Sequence, residues 1–233
     1  MSTRDLVIPA PPLATVAVAG TDQKFPVRRI YCVGRNYLEH IREMKGDERA
    51  PPFFFQKPTD AVVANGAVVP YPSKTSDCQH EIELVLAIGK GGRNIAETDA
   101  AAHVYGVALG IDLTRRDLQI KARDVGRPWE AGKAFDHSAP MTAIEPLAGK
   151  ALPTSGAIGL SVNGVTKQTG DLSEMIWNSA EVIAHLSGLF ELQPGDLIMT
   201  GTPAGVGKVI PGDKIEAWMD GVERLTVTIG PSL

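Results

Sequence analysis

The feature that most constrains the fold is the run from His80 to Ile88, which reads HEIELVLAI. Every residue after Glu83 in this run is apolar, which is typical of a strand that is buried on both faces. Side chains two apart on a strand point the same way, so Glu81 and Glu83 project together. Neighbouring carboxylates at the head of a buried strand repel each other and lose hydration. They therefore need a cation or must take up a proton.

A second apolar stretch, from Tyr105 to Ile111, ends in Asp112. If its strand lies beside the strand of Glu81 and Glu83, three carboxylates converge. Three hard oxygen ligands with no neighbouring cysteine suit Mg²⁺, Mn²⁺ or Ca²⁺ better than zinc. The alternative interpretation is that the glutamates face solvent or pair with arginine and lysine side chains.

Glycine and proline divide the chain into many short segments, with 24 and 17 occurrences respectively. This punctuation predicts an α+β fold that is predominantly β, with long functional loops and a few short helices. Helices are expected from Tyr37 to Met44 with Asn36 as N-cap, near Thr98, and from Arg115 to Val125 with Thr114 as N-cap. The longest helix is expected after Asp171, where Glu174 completes a capping box.

His40 and Glu43 stand three residues apart in the first of these predicted helices, so they share a face. A carboxylate beside an imidazole fixes its tautomer and raises its basicity, as a general base for water requires. The pair is also common on exposed helices that have no catalytic role.

Three further side chains suit an anionic substrate. Arg116 and Gln119 lie three residues apart, so both can face one ligand, and an arginine fork suits a carboxylate. Lys133 follows Gly132, which permits close approach, and a lysine there can stabilise a developing enolate. Taken singly, each of these is also typical of an ordinary surface position.

The loop from Gly201 to Lys208 resembles a phosphate-binding loop but fails the Walker A pattern. Thr202 stands where the first glycine belongs, and Val209 stands where Ser or Thr belongs. We interpret it as a tight loop that offers Thr202 and backbone N–H groups to a small anion. The net charge is −4 without a basic run, which argues against nucleic acid as a partner.

Location and domain limits are predicted from the remaining patterns. No apolar run reaches the roughly 18 residues that a membrane span needs. Cys32 and Cys78 form no CxxC pair, which favours two reduced cysteines in a cytoplasmic protein. We expect an N-terminal arm with a short strand in residues 1–27, and no linker marks a domain boundary in the sequence. The resemblance described next implies a catalytic domain in residues 28–233.

Taken together, the ordered motifs resemble the fumarylacetoacetate hydrolase family, in particular its small bacterial members. The matching stretches are YCVGRNY at 31–37, His40 with Glu43, FQKP at 55–58, HEIEL at 80–84, GIDLTRRDLQ at 110–119, residues 128–133, and residues 195–207.

This resemblance implies a mixed β-roll or sandwich, usually assembled as a homodimer. It implies metal-dependent hydrolysis of a C–C bond in a 2,4-dioxo acid, with fumarylpyruvate of gentisate catabolism as the leading substrate. The alternatives are decarboxylation of oxaloacetate or isomerisation of a related dioxo acid on the same scaffold, and a catalytically silent metal-binding protein. The implied site comprises Mg²⁺ or Mn²⁺ on Glu81, Glu83 and Asp112, a water-activating pair of His40 and Glu43, Lys133 and Gln119 lining the site, and substrate contacts from Arg116 and Thr202.

Overall fold

The structure is a computed structural model that describes residues 6–37 and 50–232. Strands dominate these residues, and the helices are short. The strands are β1 Thr15–Ala17, β2 Lys24–Pro26, β3 Arg29–Gly34, β4 Phe53–Lys57, β5 Val62–Ala64, β6 Val68–Tyr71, β7 Cys78–His80, β8 Ile82–Ile88, β9 Val104–Ile111, β10 Thr114–Arg115, β11 Ala139–Met141, β12 Glu145–Pro146, β13 Ala157–Val162, β14 Val165–Asp171, β15 Asp196–Met199, β16 Gly207–Lys208, β17 Lys214–Met219 and β18 Leu225–Ser232. The helices are α1 Arg116–Asp124, α2 Glu130–Lys133 and α3 Ser179–Leu189, with 3₁₀ turns at Thr59–Ala61, Glu97–His103 and Leu172–Glu174.

The larger sheet is mixed and runs in the order β4-β3-β15-β8-β9-β11-β5, with β12 also paired to β9. Strand β15 is parallel to β3 and antiparallel to β8, and β8 and β9 form a long antiparallel pair. All side chains of β8 are buried, as are all of β9 except Tyr105. The two continuous apolar runs therefore lie side by side at the centre of the sheet.

A five-stranded sheet in the order β14-β13-β17-β18-β6 packs against one face of the larger sheet. The core between them contains Leu84 and Leu86 from β8, Leu160 from β13 and Val227 from β18, all fully buried. Full burial of one such leucine contributes about 2 kcal/mol relative to exposure. The predominantly β, two-layered architecture expected from the sequence is confirmed.

The hairpin of β1 and β2 covers the other face of the larger sheet. Val16 and Phe25 from the hairpin pack in a second core cluster with Val85 of β8 and Met141 of β11. The strand expected near the N-terminus is therefore present and docked. The division of the chain between residues 27 and 28 stays a prediction.

The expected long helix after Asp171 begins later than its pattern indicates. Asp171 and Glu174 do form a capping box, but the box caps a single 3₁₀ turn. The α-helix α3 begins behind a second capping box, which is made by Asn178 and Glu181. The sequence therefore predicts the capping box of Asp171 and Glu174 correctly, but not the element that the box caps.

Asn36 provides the physical reason for this interruption. Its Oδ1 accepts a hydrogen bond from Trp177 N, and its Nδ2 donates to Trp177 O and Thr200 O, each at 2.8 Å. Because the Trp177 peptide groups bind Asn36, they cannot continue a helical hydrogen-bond ladder. Asn36 thereby ties the end of β3 to two loops that are distant in sequence.

The expectation that Asn36 caps a helix starting at Tyr37 is wrong at that residue. The Asn36 side chain bonds elsewhere, and Tyr37 forms an isolated β-bridge with Met175. The rest of that predicted helix lies in residues 38–44, outside the described residues.

The structure shows the state of the two cysteines and the length of the helices, on which the prediction of a cytoplasmic protein depends. Cys32 and Cys78 are both buried and free. Within residues 6–37 and 50–232, no helix combines the length and the hydrophobicity that crossing a membrane requires.

Replacing Asn36 by alanine should lower the free energy of unfolding by about 2–4 kcal/mol, because two backbone carbonyls and one backbone N–H lose their partner. Urea denaturation followed by far-UV circular dichroism measures this as a lower midpoint. Gln56→Ala removes an exposed amide and should change stability by less than about 0.5 kcal/mol. An Asn36→Ala midpoint equal to that of the wild type would contradict the role of this tether.

Candidate metal centre

The pairing of β8 with β9 brings the three predicted carboxylates together. Ile82 lies opposite Ile111, and the backbone N of Asp112 donates to Glu81 O at 2.8 Å. One carboxylate oxygen each from Glu81, Glu83 and Asp112 lies within 4.8 Å of the others, and all three residues are buried. The adjacency that the sequence could only assume is therefore present at the N-terminal end of β8.

Three cationic side chains from the described residues contact this cluster. Lys133 Nζ lies 2.8 Å from Glu81 Oε2 and 2.7 Å from Asp112 Oδ2. Lys57 Nζ lies 2.8 Å from Asp112 Oδ1, and Arg116 forms an ion pair with Glu81. These cations offset the carboxylate charges, so a divalent ion would give the cluster an excess of positive charge. Such an excess attracts an anionic ligand.

Glu83 differs from its two neighbours because no lysine or arginine of the described residues forms an ion pair with it. Its Oε2 accepts a hydrogen bond from Gly201 N at 2.7 Å. Burial raises the pKa of Glu83 well above its ordinary value, and the charges of Asp112 and Glu81 raise it further. A bound cation would compete with a proton for this carboxyl group.

Gly201 is required where it contacts Glu83. Its φ is +96°, and a Cβ at this position would lie 2.7 Å from Asn36 Cβ. A larger residue would be strained and would collide with the Asn36 tether. The Gly201 N–H was expected to be available to a small anion, but in the structure it binds the Glu83 carboxylate.

The donor set fits a hard divalent cation. The cluster offers carboxylate oxygens alone, which Mg²⁺ and Mn²⁺ prefer. Asp112 Oδ1 is buried and accepts no hydrogen bond. The ammonium group of Lys57 is near this oxygen, but its hydrogen bonds go to Leu113 O, Lys133 O and Ser138 Oγ. The 2.8 Å contact between Lys57 Nζ and Asp112 Oδ1 is therefore a pairing of charges without a hydrogen bond.

Helices α1 and α2 pack closely enough to place Lys133 beneath the cluster. A Cβ at Gly132 would lie 2.8 Å from Gln119 N and 2.9 Å from Gln119 Cα. The expectation that a glycine permits close approach before Lys133 is therefore confirmed. Thr114 does not cap α1 as expected; Arg115 is the N-cap residue, and Thr114 Oγ1 accepts a hydrogen bond from Lys133 Nζ at 2.7 Å.

Arg116 faces the site, and protein groups already accept hydrogen bonds from three of its five N–H groups. Its Nε donates to Gln79 Oε1 at 2.8 Å, and its two terminal nitrogens donate to Gln119 and Glu81. Arg116 and Gln119 do share a face, as their spacing predicts, but they bind each other. Arg116 therefore orients Glu81 and Gln119, and its contact with substrate stays a prediction.

A narrow pocket opens above the carboxylates and gathers most of the predicted site. Its wall contains Val33, Gly34, Arg35, Phe55, Glu81, Glu83, Arg116, Gln119, Trp129, Lys133 and Thr202. Trp129 packs edge-on against Phe53 with ring centroids 5.1 Å apart. His40 and Glu43 lie outside the described residues, so the water-activating pair stays a prediction.

Gln168 is a buried residue that sequence reasoning missed. Its Oε1 accepts hydrogen bonds from Ile82 N at 3.1 Å and from His80 Nδ1 at 2.9 Å, while its Nε2 donates to Thr202 Oγ1 at 2.8 Å and to Pro203 O at 2.9 Å. The two backbone partners fix the orientation of the amide. Thr202 Oγ1 therefore accepts, which leaves its own proton to donate into the pocket.

Lys57 was also missed as part of the site, because a lysine at a strand end reads as a surface charge. Its side chain is fully buried and joins Asp112 to the backbone of Lys133. The sequence signal that could have identified Lys57 is its position at the end of an aromatic strand, directly before Pro58. For Gln168 there is no comparable signal, because β14 reads as a polar strand.

The comparisons with known proteins agree with the resemblance inferred from the motifs. Residues 29–230 match a protein-family model described as Fumarylacetoacetate (FAA) hydrolase C-terminal. The chain is 48% identical over 180 residues to a fumarylpyruvate hydrolase of Ralstonia sp, covering 77% of this chain and 93% of the relative. It is 40% identical over 195 residues to oxaloacetate tautomerase FAHD1, mitochondrial, of Mus musculus, covering 84% of this chain and 88% of the relative.

A solved structure extends the likeness to the whole chain. Fumarylpyruvate hydrolase from Pseudomonas aeruginosa, in complex with Mn²⁺ and pyruvate, matches with a TM-score of 0.95 at 48% identity. The match covers 98% of this chain and 100% of that chain.

Binding of Mn²⁺ should strengthen as the pH rises through the raised pKa of Glu83. Below that pKa an incoming ion must displace a proton, whereas above it the carboxylate is ready to bind. Isothermal titration calorimetry at a series of pH values should show a dissociation constant that falls as the pH rises. Without a bound ion, the Glu83 carboxyl group has a higher pKa in the native state than in the unfolded state. The free energy of unfolding should therefore fall as the pH rises through the raised pKa of Glu83.

Glu83→Gln should weaken Mn²⁺ binding by at least about 100-fold and should flatten its pH dependence. The control is Glu97→Gln, which removes an exposed carboxylate far along the chain from the cluster. Unchanged, pH-dependent binding by Glu83→Gln would rule out Glu83 as a ligand.

Proposed function

We propose that this chain, which belongs to the fumarylacetoacetate hydrolase family, hydrolyses fumarylpyruvate to fumarate and pyruvate with a divalent metal ion. The supporting observation is the buried cluster of Glu81, Glu83 and Asp112, of which Glu81 and Glu83 line a pocket together with Lys133. The relative from Ralstonia sp, at 48% identity, supports the same substrate. Mg²⁺ and Mn²⁺ both suit the oxygen ligands, and the ion would be held by these three carboxylates.

The proposed reaction breaks the C3–C4 bond of a 2,4-dioxo acid. Water adds its oxygen to the C4 carbonyl carbon, and the bond to C3 breaks with its electron pair remaining on C3. The acyl half leaves as a carboxylate, and the other half leaves as the enolate of pyruvate, which takes up a proton. When bound, the divalent ion supplies a Lewis acid that polarises carbonyl oxygen and orients the substrate.

Lys133 is suited to stabilise the charge that develops on the enolate. Burial lowers its pKa, but the charges of Asp112 and Glu81 outweigh that effect and raise the pKa above its ordinary value. The ammonium group therefore stays protonated and fixed at the edge of the cluster. A cation held ready in a buried site stabilises an anionic transition state without reorganisation.

The other predicted side chains have supporting roles in the proposal. Thr202 would donate its hydroxyl proton to a substrate oxygen, because Gln168 fixes that hydroxyl as an acceptor on its other side. Gln119 would line the substrate pocket, and Arg116 would hold Gln119 in place. His40 would remove the proton from the attacking water, with Glu43 fixing its tautomer.

Related activities on the same scaffold remain alternatives to be tested. Oxaloacetate, like the proposed substrate, is a 2-oxo acid whose enolate can be stabilised by Lys133 and a divalent ion, and a relative at 40% identity is an oxaloacetate tautomerase. Decarboxylation or isomerisation of a related dioxo acid would need the same cluster. A silent metal-binding protein is the alternative of another class.

The cellular compartment and the oligomeric state are also part of the proposal. Two free, buried cysteines support a reducing, cytoplasmic setting. We also infer a homodimer, and a place in the catabolism of gentisate, from the family resemblance.

The purified protein should cleave fumarylpyruvate to pyruvate and fumarate in equal amounts, and EDTA should abolish this activity. Added Mn²⁺ or Mg²⁺ should restore it. Lys133→Met should lower kcat by about 10²- to 10³-fold, because the developing charge loses its fixed cation. Pyruvate release, followed with a coupled dehydrogenase, measures both effects.

The matched control is Lys90→Met, since Lys90 is an exposed lysine, and it should leave kcat unchanged. Oxaloacetate, acetylpyruvate and fumarylpyruvate are assayed side by side. Turnover of oxaloacetate alone would favour the tautomerase or decarboxylase alternative. Ion binding without turnover of any of the three would favour the silent protein.

A further inference from the structure

Arg35 is a pocket residue that none of the roles above uses. It follows β3 directly and contributes to the pocket wall beside Gly34 and Thr202. Its φ is +59°, a left-handed conformation that glycine adopts readily and that an arginine adopts at a cost. A strained residue at a pocket points to a function for its side chain.

The charge of Arg35 is not balanced by any carboxylate of the described residues. The other cations of the pocket wall, Arg116 and Lys133, form ion pairs with Glu81 and Asp112. Arg35 forms no such pair within residues 6–37 and 50–232, and its Nε is buried without a hydrogen-bond acceptor. A partly buried guanidinium group without an acceptor favours an anionic ligand.

Aromatic side chains pack closely beside Arg35. The Phe53 ring lies so close to Gly34 that a Cβ there would be 2.1 Å from a ring carbon. Phe53 also packs edge-on against Trp129, and the Arg35 guanidinium lies 6.0 Å from the Phe53 ring centroid. At that distance the ring binds the cation weakly. The rings of Phe53 and Trp129 therefore exclude water beside Arg35 but do not neutralise the charge of its guanidinium group.

We propose that Arg35 is a specificity-determining residue that binds the distal carboxylate of the substrate's acyl group. The inference rests on the proposed function and deepens it, because it names the substrate class as dicarboxylates. One end of such a substrate would lie at the carboxylate cluster, and its far carboxylate would meet the guanidinium fork. A site built to bind a charged group rejects analogues that lack it.

The test compares two substrates that differ at the far end of the acyl group. Fumarylpyruvate carries the distal carboxylate, and acetylpyruvate does not. Arg35→Met should lower kcat/KM for fumarylpyruvate by about 100-fold while changing kcat/KM for acetylpyruvate by less than about 3-fold. Arg35→Lys keeps the charge but loses the fork, and should fall between Arg35→Met and the wild type.

Product binding gives a readout that does not depend on turnover. Calorimetry on the Mn²⁺-loaded protein should show that Arg35→Met weakens fumarate binding and leaves pyruvate binding unchanged. If the wild type cleaves neither substrate, the proposed function fails, and the fumarate measurement still decides the role of Arg35. Equal losses for both substrates, or unchanged fumarate binding, would overturn the proposal.

One further variant separates the side chain from the backbone strain, and a variant at another arginine serves as the control. Arg35→Gly removes the guanidinium group and relieves the left-handed conformation, so its melting temperature should exceed that of Arg35→Met. Its substrate preference should nevertheless match that of Arg35→Met. Arg93→Met removes an exposed arginine that pairs with Glu191 and should leave both substrates and fumarate binding unchanged. If Arg35→Gly had the selectivity of the wild type, the guanidinium group would not be required, and the proposal would be overturned.

Discussion

The whole site depends on the antiparallel pairing of β8 with β9. Because these strands run in opposite directions, the start of one and the end of the other meet, and Asp112 N donates to Glu81 O at 2.8 Å. This single backbone register sets three carboxyl groups side by side in a buried position. Their mutual repulsion would oppose folding if nothing offset it. The other polar features of the site follow from that requirement.

Each offsetting group comes from a different part of the chain. Lys57 ends β4, Lys133 ends α2, and Arg116 begins α1, so three elements converge on Glu81 and Asp112. The cluster is thus a structural junction as well as a ligand set. Removing one partner of a buried ion pair leaves an uncompensated charge and is strongly destabilising.

Sequence reasoning succeeded where the signal is local. The alternation of Glu81 and Glu83 predicts their shared direction, the apolar run before Asp112 predicts a strand end, and Gly132 predicts close packing before Lys133. It failed where the partner is remote in sequence. Asn36 has the sequence pattern of a helix cap. Its side chain nevertheless binds Trp177 and Thr200, which lie 141 and 164 positions further along the chain.

The same limit explains the residues that were missed or given another partner. Arg116 has the spacing of a ligand fork, but nothing local reveals that Gln79, Gln119 and Glu81 accept its hydrogen bonds. Gln168 lies in a polar strand whose pattern resembles a solvent-facing edge. The proposed base at His40 lies outside the described residues.

The near-neutral balance of the cluster has a consequence for how the protein matures. Centres whose acidic groups have no cationic partners of their own stay open until an ion arrives, and their chains cannot collapse beforehand. Here Lys57, Lys133 and Arg116 already compensate the buried acids. Collapse of the polypeptide and capture of the ion thereby become separate events. A newly synthesised chain can therefore fold before a divalent ion binds.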